Sequence, residues 1–371
     1  MRKFTPVCLA ISLILVGSSL LSASELLAPP NARKFAVTDP ESVDGDYAYQ
    51  GEYTGILATD RRCYVSAGLQ VIARGDGAFD AVRYRGGLPG HGWNGSEPVT
   101  ATGELLDGML TLNSDDGYTI MTDGTVATVY DSQGSRLGEL NKTVRVSPTL
   151  GAAPPANAIV LFDGTSTENL VDGRITEDGL LDVGVTTKME VGDFRMHLEF
   201  RLPYMPYATG QSRSNSGVYI QRRYELQVLD SFGLEGVANE CGGMYRQQPP
   251  DVNMCFPPLT WQTYDIWFTA ARFDDDGNKT ANARITVLHN GVPIHSDYEI
   301  VAKTGAGRPE GPERMPILLQ NHGNPVRYRN IWIILDPSQV AKTQACQPCP
   351  KKRCFPRIRR VLCRIRCHCR R

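Results

Sequence analysis

A carboxylate and a carboxamide stand two residues apart, Glu225 and Gln227, within Asn215-Ser-Gly-Val-Tyr-Ile-Gln-Arg-Arg-Tyr-Glu-Leu-Gln-Val-Leu-Asp230. The segment reads as two short strands in tandem. Alternate side chains of a strand share a face, so Glu225 and Gln227 point one way and Leu226 and Val228 the other. A polar ladder of this kind suits a ligand with many hydroxyls, such as a sugar. Glu225 is the first candidate for a catalytic base or for an oxygen ligand of a divalent metal. Its alternative is a plain ion pair with an Arg such as Arg201. Gln227 donates and accepts at once, which fits sugar hydroxyls.

His322, in Gln320-Asn-His-Gly323, follows an apolar strand, and its imidazole suits acid or base work near neutral pH. It could equally order the turn. Gln320 shares its face by period two. His197, Glu199 and Arg201 share the polar face of a strand whose other face is Phe194, Met196, Leu198 and Phe200. That polar face reads either as a cleft floor or as a solvated surface. Asn215, Asp230, Tyr245 and Arg329 are further candidates for hydrogen bonds to a ligand. Asp274-Asp-Asp-Gly277 lacks the spaced ligands of a calcium loop and reads as a solvated hairpin turn.

These residues need strands to hold them. The chain has 371 residues, and its Gly, Thr, Val and Tyr content comes with turn signals such as Asp107-Gly108, Asp116-Gly117 and Asp123-Gly124. Short alternating runs lie between the turns, an all-β pattern. Residues 24–146 form a smaller β-rich domain, and 147–157, with its prolines and alanines, read as a linker. Residues 158–336 form the larger β domain. In it, His289-Asn-Gly-Val predicts a hairpin turn, because Asn-Gly accepts the positive φ such a turn needs.

Residues 1–23 read as a secretory signal: Arg2 and Lys3, an apolar run from Val7 to Leu21, then small residues for cleavage. Export to the periplasm, cell envelope or medium is the expectation, with no membrane-spanning segment in the mature chain. Removal of Cys8 leaves nine of the ten cysteines. Cys241 and Cys255 bracket a short loop, and in an exported domain they are expected to pair as a disulfide; the alternative is two buried thiols. Residues 337–371 form a Cys-rich basic tail. Ten Lys/Arg and no acid fall in 346–371, so the rest of the chain carries −11 against −1 overall. The acidic body argues against nucleic acid as its specific partner. The tail reads as a cross-linked basic module that binds an anionic envelope surface.

Taken together, Leu161-Phe-Asp-Gly164, Gly192-Asp-Phe-Arg-Met-His-Leu-Glu-Phe-Arg201, Asn215-Ser-Gly-Val-Tyr219, Tyr224-Glu-Leu-Gln-Val-Leu-Asp230, Gly243-Met-Tyr245, Trp261-Gln-Thr-Tyr264, Leu319-Gln-Asn-His-Gly323 and Tyr328-Arg-Asn-Ile-Trp332 resemble the bacterial 3-keto-disaccharide hydrolase family, the 3-keto-alpha-glucoside-1,2-lyase/3-keto-2-hydroxy-glucal hydratases. Phrases such as Glu240-Cys-Gly-Gly243 resemble the form common in exported planctomycete members. The resemblance implies a concanavalin-A-like jelly-roll sandwich, a carbohydrate substrate, and cleavage of 3-keto glycosides by elimination and hydration. It departs from the family where the tryptophans expected after the Leu-Phe-Asp-Gly start are absent. The rival reading is a carbohydrate-binding jelly roll that has lost the chemistry.

Overall fold

The structure is a computed structural model that describes residues 34–59 and 63–335. The leader with Cys8 and the tail with its six cysteines lie outside the described residues. So does any test of a tail disulfide or of envelope binding.

Eight strands close into an antiparallel up-and-down barrel: β1 (Gly51–Ala58), β2 (Tyr64–Gly75), β3 (Ala78–Arg85), β4 (Val99–Leu106), β5 (Met109–Ser114), β6 (Thr119–Thr122), β7 (Val126–Tyr130) and β8 (Arg136–Thr143), with β8 pairing back onto β1. A barrel of eight strands leaves an interior that side chains just fill. Tyr53, Leu69, Val71, Phe79, Leu110, Leu112, Ile120 and Val129 are buried and fill this one. Its centre is therefore a core.

The second domain is a sandwich of two antiparallel sheets. One has the order β10 (Leu170–Val171), β11 (Val185–Thr187), β20 (Leu318–Leu319), β13 (Ser216–Ile220), β14 (Tyr224–Val228). The other has the order β19 (Val292–Ile300), β18 (Ala283–His289), β15 (Trp261–Thr269), β12 (Phe194–Arg201), β21 (Arg327–Ile334), β9 (Ile159–Phe162). Period-two alternation sends Phe194, Met196, Leu198 and Phe200 inward from β12, and Val218, Ile220, Leu226 and Val228 inward from β13 and β14, into one core. Each such side chain contributes about 1.5–3 kcal/mol on full burial, which fixes which face of every strand looks out. The jelly-roll sandwich preceded by a smaller β domain is thus the architecture expected above. The β18–β19 hairpin turns on Asn290 (φ 50°) and Gly291 (φ 76°), as the Asn-Gly pair predicts. In the β16 (Arg272–Phe273) to β17 (Lys279–Ala281) hairpin, the Asp274 carboxylate accepts the N–H groups of Asp276 and Asn278 and so shapes the turn.

The segment between the domains is bonded down along its length. Ser147 and Thr149 hydroxyls meet the Thr263 hydroxyl at 2.6 and 2.9 Å, and Thr149 also donates to Asp265. Ile72, Val82 and Tyr84 of the barrel join the sandwich core. Among the described residues no helix is long and apolar enough to cross a membrane.

Candidate active site

Because Val218, Ile220, Tyr224, Leu226 and Val228 face the core, the residues that alternate with them, Gly217, Tyr219, Glu225 and Gln227, must face out. The register pairs Tyr219 with Glu225 and Gly217 with Gln227. Just past β20, the Gln320 N–H donates to the Gly217 carbonyl at 2.9 Å. Glu225, Gln227, Tyr219 and Gln320 therefore gather on one outer face. The free edge of β14 is capped: the Glu225 N–H donates to Thr304 Oγ1 at 2.6 Å, and the Tyr245 N–H donates to the Glu225 carbonyl at 3.0 Å.

Glu225 is 3% exposed. The Tyr219 hydroxyl donates to Oε2 at 2.7 Å. Burial pushes the carboxyl up to about 7, against the downward pull of that hydrogen bond. The residue is thus a carboxylate whose proton affinity sits near neutrality, the condition a general base needs. Gln320 Oε1 is buried without a partner among the described residues. A Cβ at Gly217 would lie 2.6 Å from Glu225 Oε1 and 3.3 Å from Gln320 Oε1, so only glycine leaves room for both. Gly217→Ala must displace the carboxylate. The expected result is a loss of about 100-fold in kcat/KM on a turned-over substrate with an unchanged circular dichroism spectrum. Full activity would show that the position of Glu225 is not critical.

Gln227 is buried and engaged. Its amide donates to Gln211 Oε1 at 3.2 Å, while the Gln211 and Asn215 amides donate to Asn239 O and Gln211 O at 2.7 and 2.8 Å. Asn215 and Gln227 thus belong to one amide network beside Glu225. Beneath it Asp230 accepts from Arg213 Nε at 2.6 Å, both side chains nearly fully buried. Asp230 is therefore committed to an ion pair. Tyr245 is half-buried, with the Arg246 guanidinium 5.3 Å over its ring.

Three expected ligand-binding residues stand elsewhere. Glu199, Arg201 and Arg329 lie on the outward face of the six-stranded sheet, across the shared core from Glu225, because Leu198 and Phe200 take the inward positions. Glu199 accepts from the Gly151 N–H at 2.6 Å, Arg329 Nε at 2.7 Å and Asn330 Nδ2 at 2.9 Å. Burial opposes its ionisation, but the His197 imidazole 3.6 Å away and the hydrogen bonds from Asn330 and Arg329 outweigh it and hold the carboxyl at about 2. His197, fully buried, meets Asp265 at 2.8 Å. Burial lowers its proton affinity, and the hydrogen bond to Asp265 and the Glu199 carboxylate 3.6 Å away reverse this, so it ends above its ordinary value. Arg201 donates to Thr38 O at 3.0 Å, and Arg201 and Arg329 flank the Trp261 ring at 5.1 and 3.9 Å. This cluster fastens the interdomain segment; it does not line the Glu225 face.

His322 is exposed on the loop after β20, and no hydrogen bond links it to Glu225 among the described residues. The expected Cys241–Cys255 disulfide is not formed. Both are buried thiols, with Cys241 Sγ 3.2 Å from the Tyr264 hydroxyl. Among the described residues no three His, Cys, Asp or Glu side chains are grouped to hold a metal ion. Tyr219, Gln211, Arg213 and Thr304 belong to the site neighbourhood, and the sequence did not single them out. For Tyr219 the available signal was its short separation from Glu225 across one turn.

Residues 157–334 match the family model of the 3-keto-alpha-glucoside-1,2-lyase-like domain. Three solved structures from Parabacteroides distasonis ATCC 8503, each named a "putative glycosyl hydrolase", are similar to about half of the chain. One is 35% identical, over 48% of this chain and 84% of that one, with a TM-score of 0.44. A second is 17% identical, over 48% and 94%, at 0.36. A third is 23% identical, over 47% and 98%, at 0.33. No curated protein matches the chain. Over residues 157–334 the chain is thus similar to the 3-keto-alpha-glucoside-1,2-lyase-like domain, which supports a carbohydrate-active protein.

Proposed function

We propose that the sandwich domain cleaves 3-keto glycosides by elimination followed by hydration, with Glu225 as the base. One observation carries this reading: a buried carboxylate with no cationic partner among the described residues, its proton affinity raised to about 7, on a face that also holds an amide oxygen unpartnered among them. The C3 ketone acidifies the C2 proton. Glu225 takes that proton, electrons flow toward the ketone, and the C1–O bond breaks as the leaving oxygen gains a proton. Water then adds across the C1–C2 double bond of the 2-hydroxy-3-keto-glucal. The sum is glycoside plus water giving 3-keto sugar plus alcohol. Tyr219 keeps its proton and aims Glu225, Gln320 reads a hydroxyl, and His322 serves as the acid toward the leaving oxygen. A Cβ at Gly305 would come within 3.0 Å of the Tyr245 ring and 3.3 Å of Glu225 Oε2, so glycine there keeps the approach open. The positive start and apolar run of residues 1–23 support an exported enzyme, held at an anionic envelope surface by its basic tail.

The test is incubation with 3-keto-trehalose, with and without EDTA, following release of 3-keto-glucose or the 2-hydroxy-glucal. Release supports the enzyme, and loss of release with EDTA would assign a metal role to Glu225 or His322. Saccharide binding without release would instead support the binding-only reading. A base must be deprotonated, so kcat/KM is expected to rise tenfold per pH unit below about 7 and to level off above it. A flat profile from pH 5 to 8 would remove Glu225 from that role.

A further inference from the structure

The junction of the two domains holds a cavity of about 440 Å³, lined from the barrel side by Tyr84, Pro89, Trp93 and Glu97 and from the sandwich side by Glu235 and Asn253. It lies outside the residues assigned to the Glu225 face. Its volume falls in the range of small-molecule sites, which favour domain interfaces. Trp93 is held rigidly there. Its indole N–H donates to Ser96 O at 2.9 Å, and its ring meets Tyr84 edge-on at 5.5 Å and 73°. Tyr84 is itself fixed by a 3.0 Å hydrogen bond to Gln70. The indole N–H is thus satisfied, and what Trp93 offers a ligand is an apolar aromatic surface.

The polar lining narrows the ligand further. Asn253 is committed, its amide donating to Ser231 O and Leu234 O and its oxygen accepting from the Cys255 N–H. Thr100 is committed to Asp115. Glu97 and Glu235 are exposed and form no ion pair among the described residues. Ionised carboxylates only accept, so the ligand must supply hydrogen-bond donors around an apolar face. A pyranose ring with its equatorial hydroxyls has that pattern.

We propose that this interdomain cavity is a second saccharide-binding site, with a sugar ring against Trp93 and its hydroxyls donating to Glu97 and Glu235. The proposal rests on the carbohydrate reading of the sandwich domain. The two sites are linked by one loop: Gly233, Leu234 and Glu235 border the cavity, and the Asn239 carbonyl accepts from Gln211 and Gln227 beside Glu225.

The test titrates the full-length mature protein with trehalose and cellobiose, unoxidised sugars that lack the activating ketone. Binding is followed by saturation-transfer NMR in the wild type, Trp93→Ala, Glu97→Gln/Glu235→Gln and Glu225→Gln. Binding is expected to weaken roughly tenfold or more in the double Gln variant, the loss of charge-assisted hydrogen bonds. It should persist in Glu225→Gln and be insensitive to 1 M NaCl. The two glutamates are exposed, so their variant stays folded even if Trp93→Ala does not. Binding that survives in the double Gln variant and disappears in Glu225→Gln would place the sugar at Glu225 and overturn the proposal. So would absence of binding, or binding of tetramethylammonium alone with loss in salt, which marks a cation site. Turnover of 3-keto-trehalose in the same variants separates the two readings. No cavity binding with turnover intact sinks the cavity site alone, and cavity binding without any turnover sinks the lyase reading alone.

Discussion

Glu225→Gln is expected to abolish turnover and to make the protein more stable at pH 8. The two effects have one cause. The carboxyl is 3% exposed and its pKa is raised from an ordinary 4.5 to about 7. The folded state therefore holds a proton on Glu225 that the unfolded chain has released, throughout the window between 4.5 and about 7. With more protons bound folded than unfolded, stability falls as pH rises across that window. Above about 7 the wild type carries the whole cost of a buried charge, on the order of 3 kcal/mol. Gln carries none, and it still accepts the Tyr219 hydroxyl. Loss of a positioned base lowers the rate about 10²–10⁴-fold. Urea unfolding of both proteins at pH 4.5 and pH 8 reads the stability arm. The variant should lead at pH 8 and tie at pH 4.5. A variant that is active, or that is less stable than wild type at pH 8, would show Glu225 to be a structural residue.

That Glu225 and Gln227 share an outward face was legible, because strand period and an apolar counter-face leave one orientation. The Tyr219–Glu225 contact was not. It depends on the register of a hairpin whose turn puts Gln221 and Arg222 both at φ 51°. Neither residue type advertises a left-handed backbone, so no turn signal announced the pairing. The placing of Glu199, Arg201 and Arg329 failed for a different reason. Alternation correctly sent Glu199 and Arg201 away from the core, but a two-sheet sandwich has two outer faces, and periodicity does not say which one a strand serves. The interdomain segment was read from its prolines and alanines as a spacer. Its Ser147 and Thr149 hydroxyls and its Gly151 N–H are what tie it to Thr263, Asp265 and Glu199. Composition reports stiffness; it is silent on which surface a segment will satisfy. The hairpin at Asn290-Gly291 was legible because both residues do announce positive φ.

Asp230→Ala should cost about 3–5 kcal/mol, the range for stranding one member of a buried ion pair. Arg213 and Asp230 are 4% and 0% exposed at the side chain. Asp230 also accepts the Phe232 N–H, and its own N–H donates to Arg213 O. Arg213 Nη2 already lacks a partner among the described residues, so removing the carboxylate leaves a buried guanidinium with nothing to offset its desolvation. Replacing both with apolar groups, Arg213→Met/Asp230→Leu, should recover most of the loss, since an ion pair in a dry site contributes little beyond the penalty of breaking it. A cost below 1 kcal/mol for Asp230→Ala would mean that water reaches the pair. The double variant also tells what the pair is for. Asn215 lies two residues from Arg213, and its amide is bonded to Gln211, which holds Gln227. If stability and turnover return together, the pair serves the fold alone. If stability returns while kcat stays low and KM is unchanged, the pair sets the geometry of the amide network beside Glu225, and the charge is kept at position 230 for alignment.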